Sequence, residues 1–255
     1  MYFDTHCHLD FPIFDAQLDQ WLKKLQMKQV SHICVPSIGP SNWQRVLQLG
    51  KLYPDQVYCA LGIHPCFLPA QNDSIERLTN LVQTHRHAIS AIGEIGLDGR
   101  YSNDDQQEHI FGEQLLLAKR VELPVLVHCV KRHHRLLPML KQAALNQAGV
   151  IHAFTGDYKT ASTYIDMGFK LGVGASFMWP SASALREALT KLPLQAIVFE
   201  TDAPDMPLPG HRKGDATPLD VIEVAKHFAA LRQESTKTVI DAVYKSSCMV
   251  IRRNA

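Results

Sequence analysis

Two histidines one residue apart, His6 and His8, sit near the start of the chain in the run Tyr2-Phe3-Asp4-Thr5-His6-Cys7-His8. Residues two apart on an extended strand share a face, so both imidazoles can reach one point, and neutral imidazole is a common metal ligand. The same spacing recurs at His85 and His87 in a polar stretch, where solvated histidines explain it equally well. Spacing alone therefore decides little, and position decides more. Glu94 closes the apolar run Ala91-Ile92-Gly93-Glu94, His128 closes Val125-Leu126-Val127-His128, His152 lies near the end of Val150–Ala153, and Asp202 follows Val198-Phe199-Glu200-Thr201. A carboxylate or imidazole at such a place is costly unless it is paired, hydrogen-bonded or coordinating a cation. Four imidazoles and two carboxylates exceed one closed tetrahedral site, so two divalent ions sharing a bridging carboxylate is the economical reading.

The neighbours of these six carry weaker signals. Asp4 and Glu200 lie two residues before His6 and Asp202 on the same strand faces, and suit either the orienting of a ligand or a plain buried hydrogen bond. His64, in Gly62-Ile63-His64-Pro65, reads as a substrate contact or as a structural histidine. Asp98 holds a ligand or shapes a turn. Lys131-Arg132-His133-His134-Arg135 and His211-Arg212-Lys213 follow two of the ligand-bearing runs. Lys131, Arg132 and Arg212 are thus candidate clamps for an anionic substrate, against the plain reading of solvated faces. Tyr101, Phe154, Phe177 and Trp179 could stack bases or simply pack. Cys7 and Cys129 adjoin ligand candidates but point away from them by strand alternation. The chain has no G-x-S-x-G elbow, no G-x-x-x-x-G-K-[ST] loop and no G-x-G-x-x-G after a strand.

Positioning six groups that lie far apart in sequence requires a scaffold with many parallel strand ends. Eight short apolar runs supply it: 2–6, 32–36, 57–63, 89–94, 124–128, 150–153, 169–173 and 196–201. Amphipathic stretches separate them, such as Phe14, Leu18, Leu22 and Leu25 after the first run and Ile75, Leu78, Leu81 and Val82 after the third. Ser41 with Gln44 and Asp73 with Glu76 match helix-capping spacing. Eight strand-helix units in 255 residues predict an α/β fold, one (β/α)8 TIM barrel over residues 1–255.

Composition bounds the function. The chain is 46% apolar and 20% charged, and 26 basic against 25 acidic residues leave a net charge of +1. That excludes coating nucleic acid by bulk charge, so an anion must be held locally. The six cysteines form no C-x-x-C pair, which fits a reducing compartment. The first ten residues hold acids and histidines in place of a basic and apolar leader, and no apolar run approaches a membrane span. A cytoplasmic protein with no membrane association is expected. The outer-helix patterning suits a monomer.

On these residues the sequence resembles the TatD family of metal-dependent hydrolases and nucleases, within the amidohydrolase-like barrel superfamily. The resemblance is carried by residues 2–10, by Gly93-Glu94-Ile95-Gly96-Leu97-Asp98 and by Phe199-Glu200-Thr201-Asp202-Ala203-Pro204, and Asp205-Met206-Pro207-Leu208-Pro209 is similar to the YjjV-like branch. It implies that His6, His8, Glu94 and Asp202 bind one ion and that Glu94, His128 and His152 bind the other. Two departures bear on substrate phosphate binding. Val130 stands where many relatives have arginine, and the Arg-Gly-x-x-Asn-x-Pro stretch is altered to Arg212-Lys213-Gly214-Asp215-Ala216-Thr217-Pro218. The leading expectation is a two-metal phosphoester hydrolase, a deoxyribonuclease with 3′–5′ exonuclease action, using magnesium, manganese or zinc. Glu94 would bridge the ions and Asp202 would serve as general base. The alternatives are a metal-dependent amidohydrolase or esterase acting on a small metabolite, and a non-catalytic metal-binding barrel.

Overall fold

The computed structural model describes residues 1–70 and 73–251. Its eight strands are β1 (Tyr2–Asp4), β2 (Val30–Pro36), β3 (Val57–Leu61), β4 (Ile89–Asp98), β5 (Val125–Val130), β6 (Gly149–Ile151), β7 (Lys170–Val173) and β8 (Ile197–Phe199). Each pairs in parallel with the next in sequence order. The Thr5 amide donates to the Phe199 carbonyl at 3.0 Å, bringing the last strand back to the first. The fold is a (β/α)8 TIM barrel, and all eight expected strands are present.

The helices are α1 (Pro12–Asp15), α2 (Leu18–Met27), α3 (Trp43–Leu52), α4 (Ser74–Thr84), α5 (Asp104–Val121), α6 (His133–Ala143), α7 (Tyr158–Asp166), α8 (Ser183–Lys191), α9 (Val221–Arg232) and α10 (Thr236–Ile251). Their apolar stripes face the sheet: Leu18, Leu22 and Leu25 of α2 and Leu78 and Val82 of α4 are buried. Neither expected cap forms. Asn42, not Ser41, precedes α3, and its Oδ1 accepts from the Ile38 and Gly39 amides at 3.0 and 3.2 Å, so it tightens the preceding turn. Asp73 does precede α4, but its side chain caps no amide and faces Arg77 at 4.0 Å.

Inside the barrel, one side chain from each of seven strands packs into a small apolar layer: Phe3, Cys34, Ala60, Ala91, Leu126, Val150 and Val198. Ile251, at the end of α10, joins this layer. The barrel is therefore filled by side chains at its N-terminal end. The helix-facing side forms a second, larger core that runs around the barrel.

Candidate metal centre

The ligand-type residues stand just above the apolar layer, toward the C-terminal strand ends. On β5 the step from Leu126 to His128 carries the chain from one layer to the next, and Val150 to His152 does the same past β6. Glu94 does not close its strand as expected, because β4 runs on to Asp98. Ile92 lies opposite Val125 but Ile95 lies opposite Val127, so β4 holds one extra residue at this point. Such a bulge re-aims a side chain, here the Glu94 carboxylate. The first strand likewise ends early, at Asp4, and residues 6–8 bond to the loop after β8. The Asp202 amide donates to the His6 carbonyl at 2.8 Å and the His8 amide to the Ala203 carbonyl at 2.9 Å. Asp4 secures both sides of this junction. Its Oδ1 accepts from the Thr201 and His6 amides at 3.0 and 3.3 Å, and its Oδ2 from the Thr201 hydroxyl at 2.6 Å. Asp202 and Ala153, next to His152, hold left-handed φ values of 57° and 44°, a conformation that costs a non-glycine residue energy and gathers at functional sites.

All six expected ligands meet in one side-chain cluster, arranged about Glu94 and Asp202. Its Oε2 lies 3.2 Å from His6 Nε2 and 3.9 Å from His8 Nε2. Its Oε1 lies 2.9 Å from His128 Nδ1 and 3.4 Å from His64 Nε2. Asp202 Oδ1 is 3.6 Å from His6 Nε2 and 3.5 Å from His8 Nε2, and Oδ2 is 3.6 Å from His152 Nε2. The resemblance groups His152 with Glu94 and His128, whereas its ring here stacks on His6, centroids 3.5 Å apart. His64 is closer to the cluster than a substrate contact needs to be, with Nε2 3.2 Å from His128 Nδ1. Its Nδ1 accepts the Cys66 amide hydrogen at 3.0 Å, so the neutral ring carries its proton on Nε2, facing Glu94.

These residues fit divalent cations. His6 Nδ1, His6 Nε2 and His8 Nδ1 are buried and have no hydrogen-bond partner among the described residues. Buried polar atoms are normally paired, and imidazole nitrogens facing carboxylate oxygens across a few ångströms form a donor set for a cation. Three of the four candidate ligand histidines also have a carboxylate behind them. Glu200 Oε1 is 3.0 Å from His152 Nδ1, Asp98 Oδ2 is 2.9 Å from His128 Nε2, and Asp10 Oδ1 is 3.9 Å from His8 Nδ1. Carboxylates in this place orient a ligating ring and raise its basicity. Asp10 was not singled out in the sequence. Asn42 holds its Oδ2 at 2.8 Å. Gly172 makes room for Glu200, since a Cβ there would stand 2.2 Å from Oε2.

The electrostatics follow from burial opposed by close charges. Burial favours the neutral form of Glu94, but His64, His6 and His152 outweigh it and hold the carboxyl well below its usual range. Asp202 is lowered in the same way by His152, His6 and His8 against burial. Burial depresses His6 and His64. Burial also works against a charged His152, yet Glu200, Asp202 and Glu94 push it well above the ordinary histidine value. His128 is raised more modestly, by Asp98 and Glu94 against burial.

The expected cationic clamps diverge. Arg132 is held by Asp104, Nε to Oδ1 at 2.9 Å and Nη2 to Oδ2 at 3.1 Å, so its charge is already partnered. Lys131 and Arg212 are exposed on the loops after β5 and β8. Arg100 was missed by sequence reasoning, being a single arginine two residues past Asp98. It pairs with Asp98 through Nε and Nη2 and stands on the same rim. Cys7 and Cys129 turn away as expected, to the Ala203 carbonyl at 3.8 Å and to His133 Nδ1 at 3.2 Å. His85 and His87 line a separate hollow with Lys51 and Gln48.

Residues 3–252 match the family described as TatD related DNase. The chain belongs to the TatD family. It is 36% identical over 249 residues to the metal-dependent hydrolase YjjV of Escherichia coli, covering 96% of both chains. The crystal structure of the E. coli YjjV TatD homologue superposes with a TM-score of 0.94 over 99% of this chain and 98% of that one. The human protein named deoxyribonuclease TATDN3 is 27% identical over 258 residues, covering 96% of this chain and 92% of that protein. The TatD match spans every residue of the cluster described above.

Proposed function

We propose that this protein is a two-metal hydrolase of phosphodiester bonds acting on DNA. One observation carries the reading: the two oxygens of Glu94 face two different histidine sets, His6 and His8 on one side and His128 and His64 on the other. A carboxylate so placed suits a bridge between two cations. His6, His8, Glu94 and Asp202 would hold one ion, and Glu94, His128 and His152 the other. When bound, such ions make water acidic at neutral pH and offset charge on attacking and leaving oxygens.

The chain's own groups do the rest. Asp202 takes the proton of the attacking water, and its Oδ2, which faces His152, is the oxygen left for that proton. Asp98 keeps the His128 ring from turning, and Glu200 sets its carboxylate 3.0 Å behind His152 Nδ1. His64 presents Nε2–H toward Glu94 Oε1, at the place where a phosphate oxygen would approach. Lys131 and Arg212 supply positive charge on the rim, while Arg132 braces the loop after β5 through Asp104 and Arg100 is paired with Asp98. The names of the human relative and of the matching family support DNA as the polymer.

Metal analysis of the purified protein tests this, followed by assays on oligonucleotides, small esters, lactones and amides with magnesium, manganese or zinc added back. Two metals per chain and metal-dependent cleavage of phosphodiesters are expected. Turnover of esters or amides with no phosphodiester cleavage would transfer the assignment to a small-metabolite hydrolase.

A further inference from the structure

Among the described residues four aromatic side chains are exposed: Phe67, Tyr101, Tyr158 and Trp179. All four follow strand C-termini, after β3, β4, β6 and β7, and none lies at the other end of the barrel. Phe154 and Phe177, which also follow strand ends, are buried at 2% and 3% exposure and are packing residues. The exposed four are therefore confined to the face that carries the ligand cluster.

Two of them adjoin it. Phe67 is 52% exposed, and its ring centroid lies 5.5 Å from that of His64. Tyr101 is 46% exposed, and its amide donates to the carbonyl of Asp98, whose carboxylate accepts from the thiol of Cys66, the residue before Phe67. Both backbones are fixed by the site itself. The Phe67 amide donates to the His64 carbonyl at 3.0 Å, closing the short 3₁₀ turn 65–67. Tyr101 follows Arg100, which is clamped on Asp98, the carboxylate behind His128. Two aromatic residues thus project from backbone anchored on the His64 and His128 side of the cluster, and Arg100 Nη2 lies 3.8 Å from the thiol of Cys66 beside Phe67.

We infer that Phe67 and Tyr101 form a stacking subsite for the nucleobase next to the scissile phosphate. The inference rests on the phosphodiester reading above and adds to it where the base is held. A phosphate held by ions bound at Glu94 and Asp202 would leave the attached base toward the rim, and an aromatic face offers every base the same attraction. The subsite accepts an unstacked base, so a base kept in a duplex cannot use it. Trp179 stands on a different loop, after β7, is 41% exposed and serves as the comparison position.

The test uses a single-stranded oligonucleotide and the same strand with an abasic unit in place of the reacting nucleotide. For the unaltered protein the abasic strand should show a KM about 5- to 150-fold higher, the range one stacked base is worth. The Phe67→Ala/Tyr101→Ala variant should lose the same factor on the normal strand and nothing further on the abasic strand. Phe67→Tyr should keep the parental value, and Trp179→Ala should leave it unchanged. A 2-aminopurine placed at the reacting position of a strand with a non-cleavable phosphorothioate linkage should be quenched on binding to the metal-loaded unaltered protein and not to the metal-loaded double variant. Unchanged KM and unchanged quenching in the double variant, with oligonucleotide cleavage intact, would overturn the subsite and leave the phosphodiester reading standing. Absence of any oligonucleotide cleavage by the unaltered protein would overturn that reading, and the quenching would then decide the subsite alone: present and lost in the variant it stands, absent it falls.

Discussion

The two ends of the barrel interior are built from the same strands and lie largely out of solvent, yet they are opposite materials. Leu126 and Val150 lie in the apolar layer at 0% and 1% exposure, and two residues on, His128 and His152 are 9% and 4% exposed. The lower layer gains free energy from burial, roughly 1.5–3 kcal/mol for each large side chain. The upper one buries imidazoles and carboxylates whose desolvation must be offset by one another or by ions. Inside the barrel, apolar burial is therefore concentrated in one layer and the chemistry in the next. A change in either should be legible as a change in one property without the other.

The sharpest break of that contrast is Glu94→Gln. Removing the central charge should cut turnover by about three orders of magnitude, equivalent to about 4 kcal/mol of barrel-mouth electrostatics, and lower the bound metal, with a circular dichroism spectrum like that of the parent. Near-parental rates would remove Glu94 from the mechanism. The reverse break is Leu126→Ala, which should cost about 2–5 kcal/mol of unfolding free energy. Denaturant titration measures this, and metal content per folded chain should not change. Next comes Glu200→Gln, which spares the volume and weakens the hold on His152. A drop of about 10- to 100-fold in metal affinity is expected, read by competition with a chelating dye. The same affinity in the variant would reduce Glu200 to a packing group. The smallest effect is expected from Arg132→Ala. Its partly exposed pair with Asp104 is worth about 1 kcal/mol or less, so KM for an oligonucleotide should change less than for Lys131→Ala. A larger loss at Arg132 would mean that it leaves Asp104 to reach substrate.

Much of this was legible in the chain because strands of a parallel barrel are short continuous apolar runs, and a charged residue at the end of such a run stands out. Glu94, His128, His152 and Asp202 were found in this way. What stayed hidden depends on relations between segments. The extra residue in β4 shows only against the register of β5, so Glu94 reads as a strand end when it lies inside the strand. Asp10 gains its place behind His8 through Asn42, 32 residues away. Arg132 looks like a free clamp until Asp104, 28 residues earlier, is brought beside it. Asn42 displaces Ser41 as the start of α3 because its side chain serves the turn before the helix. Local propensity does not encode such partnerships.

The junction tied by Asp4 has a bearing on how the protein matures. Its carboxylate joins the chain before His6 to the chain before Asp202, 197 residues later in the case of Thr201. A growing polypeptide therefore holds its earliest histidines long before their acidic counterpart emerges from the ribosome. Tight metal capture should then arrive late and abruptly, as a mark that the circle of strands has shut, and fragments ending before β8 should chelate poorly however well their first half is formed.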